Sequence, residues 1–143
     1  MAKKQKGSKK QGSSGAPQPM AALYRLDVGT PRGDAVRAVL AEQGIRAKTI
    51  TADRLGDPVG AIAGLVGFRS ARVPYAGDVP ENEFMLLCNV SHAQVNQLLP
   101  AMREADCSVD CKAQLTQHNR LWPFATLVQE VSKEHASMTS DQG

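Results

Sequence analysis

Apolar and polar positions along the chain follow two periods, which predict strands alternating with helices. Residues 22–28 alternate as expected for a half-buried strand. Thr30 and Pro31 then supply an N-cap and a favoured first helical residue, and Gly44 ends the helix. A second short strand is predicted over residues 46–52.

A second helix is predicted after this strand. Asp57 and Pro58 repeat the cap-and-proline start. The buried stripe of this helix is expected to comprise Val59, Ile62, Ala63 and Val66. Residues 67–80 mix Gly, Pro and charged residues without a period and predict a loop.

The second half of the chain starts with an almost continuous apolar run over residues 84–90, typical of a strand covered on both faces. Ser91 and Gln94 form a capping box for the next helix. Its apolar face is expected to comprise Val95, Leu98, Leu99 and Met102. Pro100 lies inside this helix, where we expect a kink or one lost hydrogen bond.

The pattern ends with a fourth strand over residues 109–116 and a helix from Leu121 to about Ala136. His135 is then expected in the last turn, where it complements the helix dipole.

These elements predict an α/β fold: a compact, mixed or parallel sheet of about four strands, in a β-α-β-α order that occurs twice, covered by helices. A single domain is expected over residues 21–138, with halves at 21–67 and 81–138. In both halves a valine ends a strand before a helix cap and an Arg-Leu pair precedes a proline. An internal duplication is therefore a hypothesis.

The two ends of the chain differ from the domain in composition. Residues 1–20 are rich in Lys, Gln, Ser, Gly and Pro and predict a disordered tail, and residues 139–143 are expected to fray. Five lysines lie in the tail: Lys3, Lys4, Lys6, Lys9 and Lys10. Removing their charges from the net +3 leaves −2 for the remainder. Such a tail is a solvated segment or makes weak contacts with nucleic acid.

Composition also bears on the compartment. No apolar run reaches the roughly 18 residues of a membrane-spanning helix, and no apolar segment follows the first lysines as in a secretory signal. Three cysteines do not suggest a disulfide framework. We therefore expect cytoplasmic residence and no membrane contact.

Cys107 and Cys111 have a spacing that invites a metal-site interpretation. Two sulfurs bound to one zinc ion lie at most about 4.6 Å apart. Four residues of extended chain span about 13 Å, so a strand cannot chelate through this pair. No metal site is predicted. A redox role remains open if Cys88 and Cys111 are neighbours on adjacent strands.

Polar side chains cluster in sequence around the predicted third and fourth strands. The candidate ligand-binding residues are Asn89, His92, Lys112, Thr116, His118, Asn119, Arg120 and Trp122. Because open α/β sheets bind ligands at the carboxyl ends of strands, these donors and acceptors suit a polar or anionic ligand. The alternative is structural, with Thr116 and Asn119 as turn residues and Trp122 anchoring the last helix.

No phosphate loop, nucleophile elbow, zinc motif or carboxylate pair is present, so no catalytic residue and no cofactor is predicted. The leading hypothesis is a non-catalytic module that binds a partner protein or a small polar ligand. The alternatives are an enzyme or ligand-processing site at the carboxyl ends of strands three and four, and nucleic-acid association through the basic tail.

The second half also carries a recognisable segment. Lys112, Ala113, Thr116, Asn119 and Trp122, followed by Glu134 and His135, match a Lys-Ala-x-x-Thr-x-x-Asn-x-x-Trp segment and a helix with Glu-His. Residues 82–138 thus resemble the bacterial family known as domain of unknown function 3783. Asp106 stands where that family has a helix-ending glycine. The resemblance implies a domain type and no activity.

Overall fold

The computed structural model describes residues 18–71 and 75–142, and it confirms the predicted α/β class. The first half contains β1 (Met20–Tyr24), α1 (Pro31–Glu42), β2 (Arg46–Ile50) and the one-turn helix α2 (Val59–Ile62). The second half contains β3 (Phe84–Cys88), α3 (His92–Glu104), β4 (Lys112–Gln114) and α4 (Phe124–Gln142). A short 3-10 helix precedes α2 (Ala52–Arg54) and another precedes α4 (Asn119–Leu121).

The four strands form one mixed sheet in the order β2-β1-β3-β4. Each half contributes a parallel pair, β1 with β2 and β3 with β4. The halves meet through antiparallel pairing of β1 with β3, centred on Ala22 opposite Leu86. As a result, the carboxyl end of β3 lies at the same edge as the amino ends of β1 and β2.

Helices cover both faces of the sheet and give two apolar cores. One core packs α1 and α3 against one face through side chains such as Leu40, Leu98 and Met102. The other packs α2 and α4 against the opposite face through Ile62, Phe124 and Val128. Successive residues of β3 alternate between the cores, so all five are buried, as the apolar run predicts.

Matched backbone features relate the halves by an approximate two-fold axis. Arg25 and Asn89, each the first residue after its strand, have positive φ values of 66° and 61°. The N–H of Val59 donates to the carbonyl of Trp122, and the N–H of Phe124 donates to that of Asp57, both at 2.8 Å. These reciprocal bonds flank Pro58 and Pro123, which pair across the axis. The common geometry supports the duplication hypothesis.

Helix caps follow the sequence closely at α1 and α3. The hydroxyl of Thr30 accepts a hydrogen bond from the N–H of Gly33 at 3.0 Å. Ser91 and Gln94 form both bonds of the predicted capping box. Helix α3 continues through Pro100 to Glu104.

The second predicted helix is the largest correction. Helix α2 ends at Ile62, because Gly64 adopts φ 77° and turns the chain, and Val66 is fully exposed rather than buried. Asp57 does not cap it. Its buried carboxylate instead accepts hydrogen bonds from Arg54 Nε at 2.9 Å and from the N–H of Ala71 at 2.7 Å.

Several predicted boundaries were also wrong. The first strand begins at Met20 inside the predicted tail, whose residues 1–17 lie outside the described residues, and ends at Tyr24. The strand predicted over 46–52 ends at Ile50, that over 84–90 ends at Cys88, and that over 109–116 shortens to β4.

The last helix begins later and ends later than predicted. Leu121 lies in the preceding 3-10 helix and is mostly exposed, whereas α4 starts at Phe124. The helix continues to Gln142, through the segment expected to fray. His135 is therefore not in the last turn, and its Nε2 lies 3.9 Å from an Asp110 carboxylate oxygen.

Candidate functional site

The predicted ligand residues do not all serve one site. The side chains of Thr116 and Asn119 bond to each other's backbone: Asn119 Oδ1 accepts from the N–H of Thr116, and Thr116 Oγ1 accepts from the N–H of Asn119, both at 2.9 Å. Asn119 Nδ2 also donates to the carbonyl of Gln114. Asn119 is buried, and these bonds close the turn that leads into α4.

His118 and Trp122 lie next to this turn. Their rings meet edge to face with centroids 5.5 Å apart. Trp122 is half-buried against the core formed by α2 and α4, while His118 and Arg120 are exposed. This packing supports the structural interpretation of Trp122 as an anchor of the last helix.

Lys112 lies at the amino end of β4 rather than at its carboxyl end. Its Nζ donates to the carbonyl of Val109 at 2.9 Å. Together with Thr116, Lys112 lines a mainly apolar groove of about 330 Å³ between α3 and β4. His92, the first residue of α3, is exposed.

Asn89 belongs to a different place, an open cavity of about 730 Å³ at the edge where β3 ends and β1 and β2 begin. We call this space the Arg46–Lys48 cavity. Its described lining contains two basic residues and no acidic one: Gln18, Met20, Arg46, Ala47, Lys48, Ala63, Gly64, Leu65, Val66 and Asn89. Asn89 Nδ2 donates weakly to the carbonyl of Gln18 at 3.4 Å across the mouth.

Lys48 has the most perturbed environment in this cavity. It lies half-buried in edge strand β2, and its Nζ donates to the carbonyl of Ile62 at 3.0 Å. Burial lowers the pKa of Lys48, and the nearby Arg54 guanidinium lowers it further. Arg46, two residues earlier on the same strand face, is exposed and adds a permanent positive charge.

A smaller cavity of about 390 Å³ lies between α4 and the segment before β3, and the two-fold axis relates part of its lining to that of the Arg46–Lys48 cavity. By the register of the central strand pair, Gln18 before β1 is equivalent to Asn82 before β3. Counted from the paired prolines, Leu65 is equivalent to Glu130. Three of the four charged residues in the described lining of this second cavity are acidic, namely Asp78, Glu81 and Glu130, and the fourth is Lys133. Lys133 Nζ lies 3.2 Å from Glu130.

The three cysteines are free, buried thiols that lie apart from one another. Cys107 belongs to the core under α1 and α3, whereas Cys111 belongs to the core on the opposite face, so the two cannot share one metal ion. Cys88 ends β3 and Cys111 precedes β4, and the strand register separates them by about four residues, or roughly 13 Å. The redox pairing left open by the sequence is therefore wrong.

Sequence reasoning missed Gln18, Arg46 and Lys48. The available signal was the pair of basic residues at alternate positions in the second strand, which places both on one face. Their proximity to Asn89 depends on β1 pairing antiparallel with β3, which no local pattern specifies.

Comparison with known proteins adds one match. Within the described part of the chain, no helix combines the length and apolar character needed to cross a bilayer. No curated protein and no solved structure matches the chain significantly. A family model described as Domain of unknown function (DUF3783) matches residues 83–138, so the predicted resemblance is confirmed over β3, α3, β4 and most of α4.

Proposed function

We propose that this chain is a non-catalytic binding module that holds a small anionic ligand in the Arg46–Lys48 cavity. The observation that carries the proposal is a roomy cavity with two basic side chains and no acidic residue in its described lining. A volume of about 730 Å³ is within the range of small-molecule sites. The ligand site predicted at the carboxyl end of β3 thus extends toward β1 and β2 rather than toward β4.

The cavity supplies complementary contacts for an anion. Arg46 offers a planar guanidinium with several donors, suited to two-point contact with a carboxylate or phosphate. The Lys48 amine and the Asn89 amide add donors, while Met20 and Leu65 provide apolar walls.

Isothermal titration of the full chain with inorganic phosphate, pyrophosphate and a panel of phosphorylated metabolites tests this function. We expect Arg46→Gln to weaken binding of the best ligand by about tenfold to a hundredfold, since a charge-assisted hydrogen bond contributes about 1.5–3 kcal/mol. Arg103→Gln, which removes an exposed arginine in the last turn of α3, is the matched control and should not change the affinity. Equal affinities for all three proteins would contradict the proposal, as would no binding by wild type.

A second candidate function is association with nucleic acid through the Lys-rich segment. The specific observation is that this segment joins the described chain at Gln18, which lines the cationic cavity. Binding to single-stranded nucleic acid should then fall steeply with salt and be lost on deletion of residues 1–15. An affinity that survives the deletion would reject this candidate.

Cytoplasmic residence is part of the proposal, and the three unpaired thiols support it.

A further inference from the structure

The environment of Lys48 suits a nucleophilic amine rather than one member of an ion pair. Among the described residues, no carboxylate oxygen lies within 4.0 Å of its Nζ. Its hydrogen bond goes to the carbonyl of Ile62 at 3.0 Å, and Lys48 is one of the residues that line the Arg46–Lys48 cavity.

The surroundings of this amine favour its neutral form. Burial is the largest cause of the lowered pKa of Lys48, and the charges of Arg54 and Arg46 act in the same direction. Cys88 and Asp57 raise the pKa, with effects smaller than those of burial and Arg54 but larger than that of Arg46. A lysine that loses its proton more readily than usual has more of the free electron pair that attacks carbonyl carbon.

We propose that Lys48 binds its ligand covalently and reversibly, as an imine with an aldehyde whose anionic group is held by Arg46. The inference rests on the proposed function and names its ligand class, an aldehyde that carries a phosphate or carboxylate. The two basic side chains share one strand face about 7 Å apart along the strand, a separation that one small molecule can span.

The chemistry needs no cofactor or oxidant. The electron pair of neutral Nζ attacks the aldehyde carbon, and a C–N bond forms as the carbonyl oxygen takes up a proton. Loss of this oxygen as water, with the second proton leaving nitrogen, gives the C=N bond. Hydrolysis reverses each step, so nothing is consumed and the module remains a binder.

The chain provides internal controls. Apart from the five tail lysines, it contains only Lys48, Lys112 and Lys133. Lys112 is the closest match, since it also lies half-buried in an edge strand and donates to a backbone carbonyl, at 2.9 Å. Among the described residues that line the groove beside Lys112, none is an arginine.

Reductive trapping on the full chain tests the inference. The protein is incubated near neutral pH with pyridoxal phosphate or with unphosphorylated pyridoxal, the imine is reduced with cyanoborohydride, and adducts are mapped by peptide mass spectrometry. With limiting pyridoxal phosphate we expect Lys48 to be labelled about tenfold more than Lys112 or Lys133, because one charge-assisted hydrogen bond from Arg46 to the phosphate raises occupancy beside Lys48 by about that factor. Arg46→Gln should reduce labelling by pyridoxal phosphate about tenfold and reduce labelling by pyridoxal much less, since the charge of Arg46 has the smallest effect on the pKa of Lys48.

Equal labelling of the three lysines, or equal preference of Lys48 for the two aldehydes, would overturn the inference. Titration of the Lys48→Arg variant with inorganic phosphate distinguishes a failure of imine formation from a failure of the proposed anion binding. If this variant and wild type bind phosphate but Lys48 shows no selective adduct, anion binding stands and imine formation is rejected. If neither protein binds phosphate or any other anion, both proposals fail.

Discussion

Three residues other than glycine adopt left-handed backbone within the described chain, and each ends a strand or a helix. Asp106 is the C′ residue of α3, with φ 58°. The N–H of the next residue, Cys107, donates to the carbonyl of Met102 at 2.9 Å, as in a Schellman motif. Helix α1 ends in the same way at Gly44, where the N–H of Ile45 donates to the carbonyl of Leu40. The left-handed C′ position is thus common to the helices of both halves, but it is occupied by Gly44 in α1 and by Asp106 in α3.

Asp106→Gly should stabilise the protein by about 1 kcal/mol, because a side chain in the left-handed region costs about that much. The free energy of unfolding in urea measures the effect. Asp106→Ala, which keeps a β-carbon and loses the local hydrogen bonding available to Asp, serves as control and should give no gain. A glycine variant less stable than wild type would show that the Asp side chain stabilises this turn.

The thiol of Cys88 gives a pH-dependent prediction. Burial raises its pKa from 9.0 to about 12, so the folded state retains a proton that the unfolded state releases. This contribution to stability is fully present below pH 9 and is lost as the pH rises toward 12, by at most about 1.4 kcal/mol per pH unit. Cys88→Ala should therefore lose less stability than wild type between about pH 8.5 and 10.5 in urea unfolding. Equal losses of unfolding free energy in the two proteins over this pH range would contradict the prediction.

At the level of elements, sequence signals whose partners lie close together in the chain predicted the structure. Features that depend on long-range contacts were not predicted. The capping box at Ser91 and the apolar run of β3 specified their elements from sequence alone, because the partners lie within a few residues. The prediction for helix α2 failed because apolar spacing over Val59–Val66 suggested a continuous stripe, while Gly64 turned the chain after one helical turn. Asp57 bonds to Ala71 instead of capping the helix. Turn chemistry overrode periodicity there.

The first turn of α1 gives a prediction about packing. A β-carbon on Gly33 would lie 2.0 Å from the carbonyl oxygen of Asp27. Since that oxygen is also bonded by the hydroxyl of Thr30, the turn cannot shift without losing the cap. Gly33→Ala should destabilise the protein by about 1 to 3 kcal/mol, measured by thermal or urea unfolding.

Gly56→Ala is the control for this substitution, because the nearest atom to its added β-carbon is a Tyr75 ring carbon at 3.5 Å. We expect a change within about 0.5 kcal/mol. Equal losses for the two variants would mean that the clash at Gly33 is relieved elsewhere.

On the scale of the whole molecule, the sequence predicted which elements exist but not how the two halves pair. The order of the strands in the sheet determines whether Asn89 lies near Lys112 or near Arg46. The hydrophobic pattern of β1 is compatible with either choice of neighbouring strand. Candidate residues from the second half were therefore grouped with one another, whereas the larger cavity draws on both halves.

The central strand pair predicts how an isolated second half behaves. Residues 81–142 lack β1, which leaves the inner edge of β3 unpaired and half of each core exposed. Because β3 occupies the position related to β1 by the two-fold axis, two copies of this fragment should pair through β3 and form a homodimer. Analytical ultracentrifugation should give twice the fragment mass. A folded monomer would contradict the prediction.

The two-fold axis also has an electrical consequence. The two cavities that it relates in part differ in charge: the described lining of one contains two basic residues and no acidic one, and that of the other contains three acidic residues and one basic residue. An anion that approaches the molecule is therefore attracted to the first cavity and repelled from the second. A homodimer of identical halves would have to carry the same charges in both places, whereas a single chain with two diverged halves can differ in charge between them.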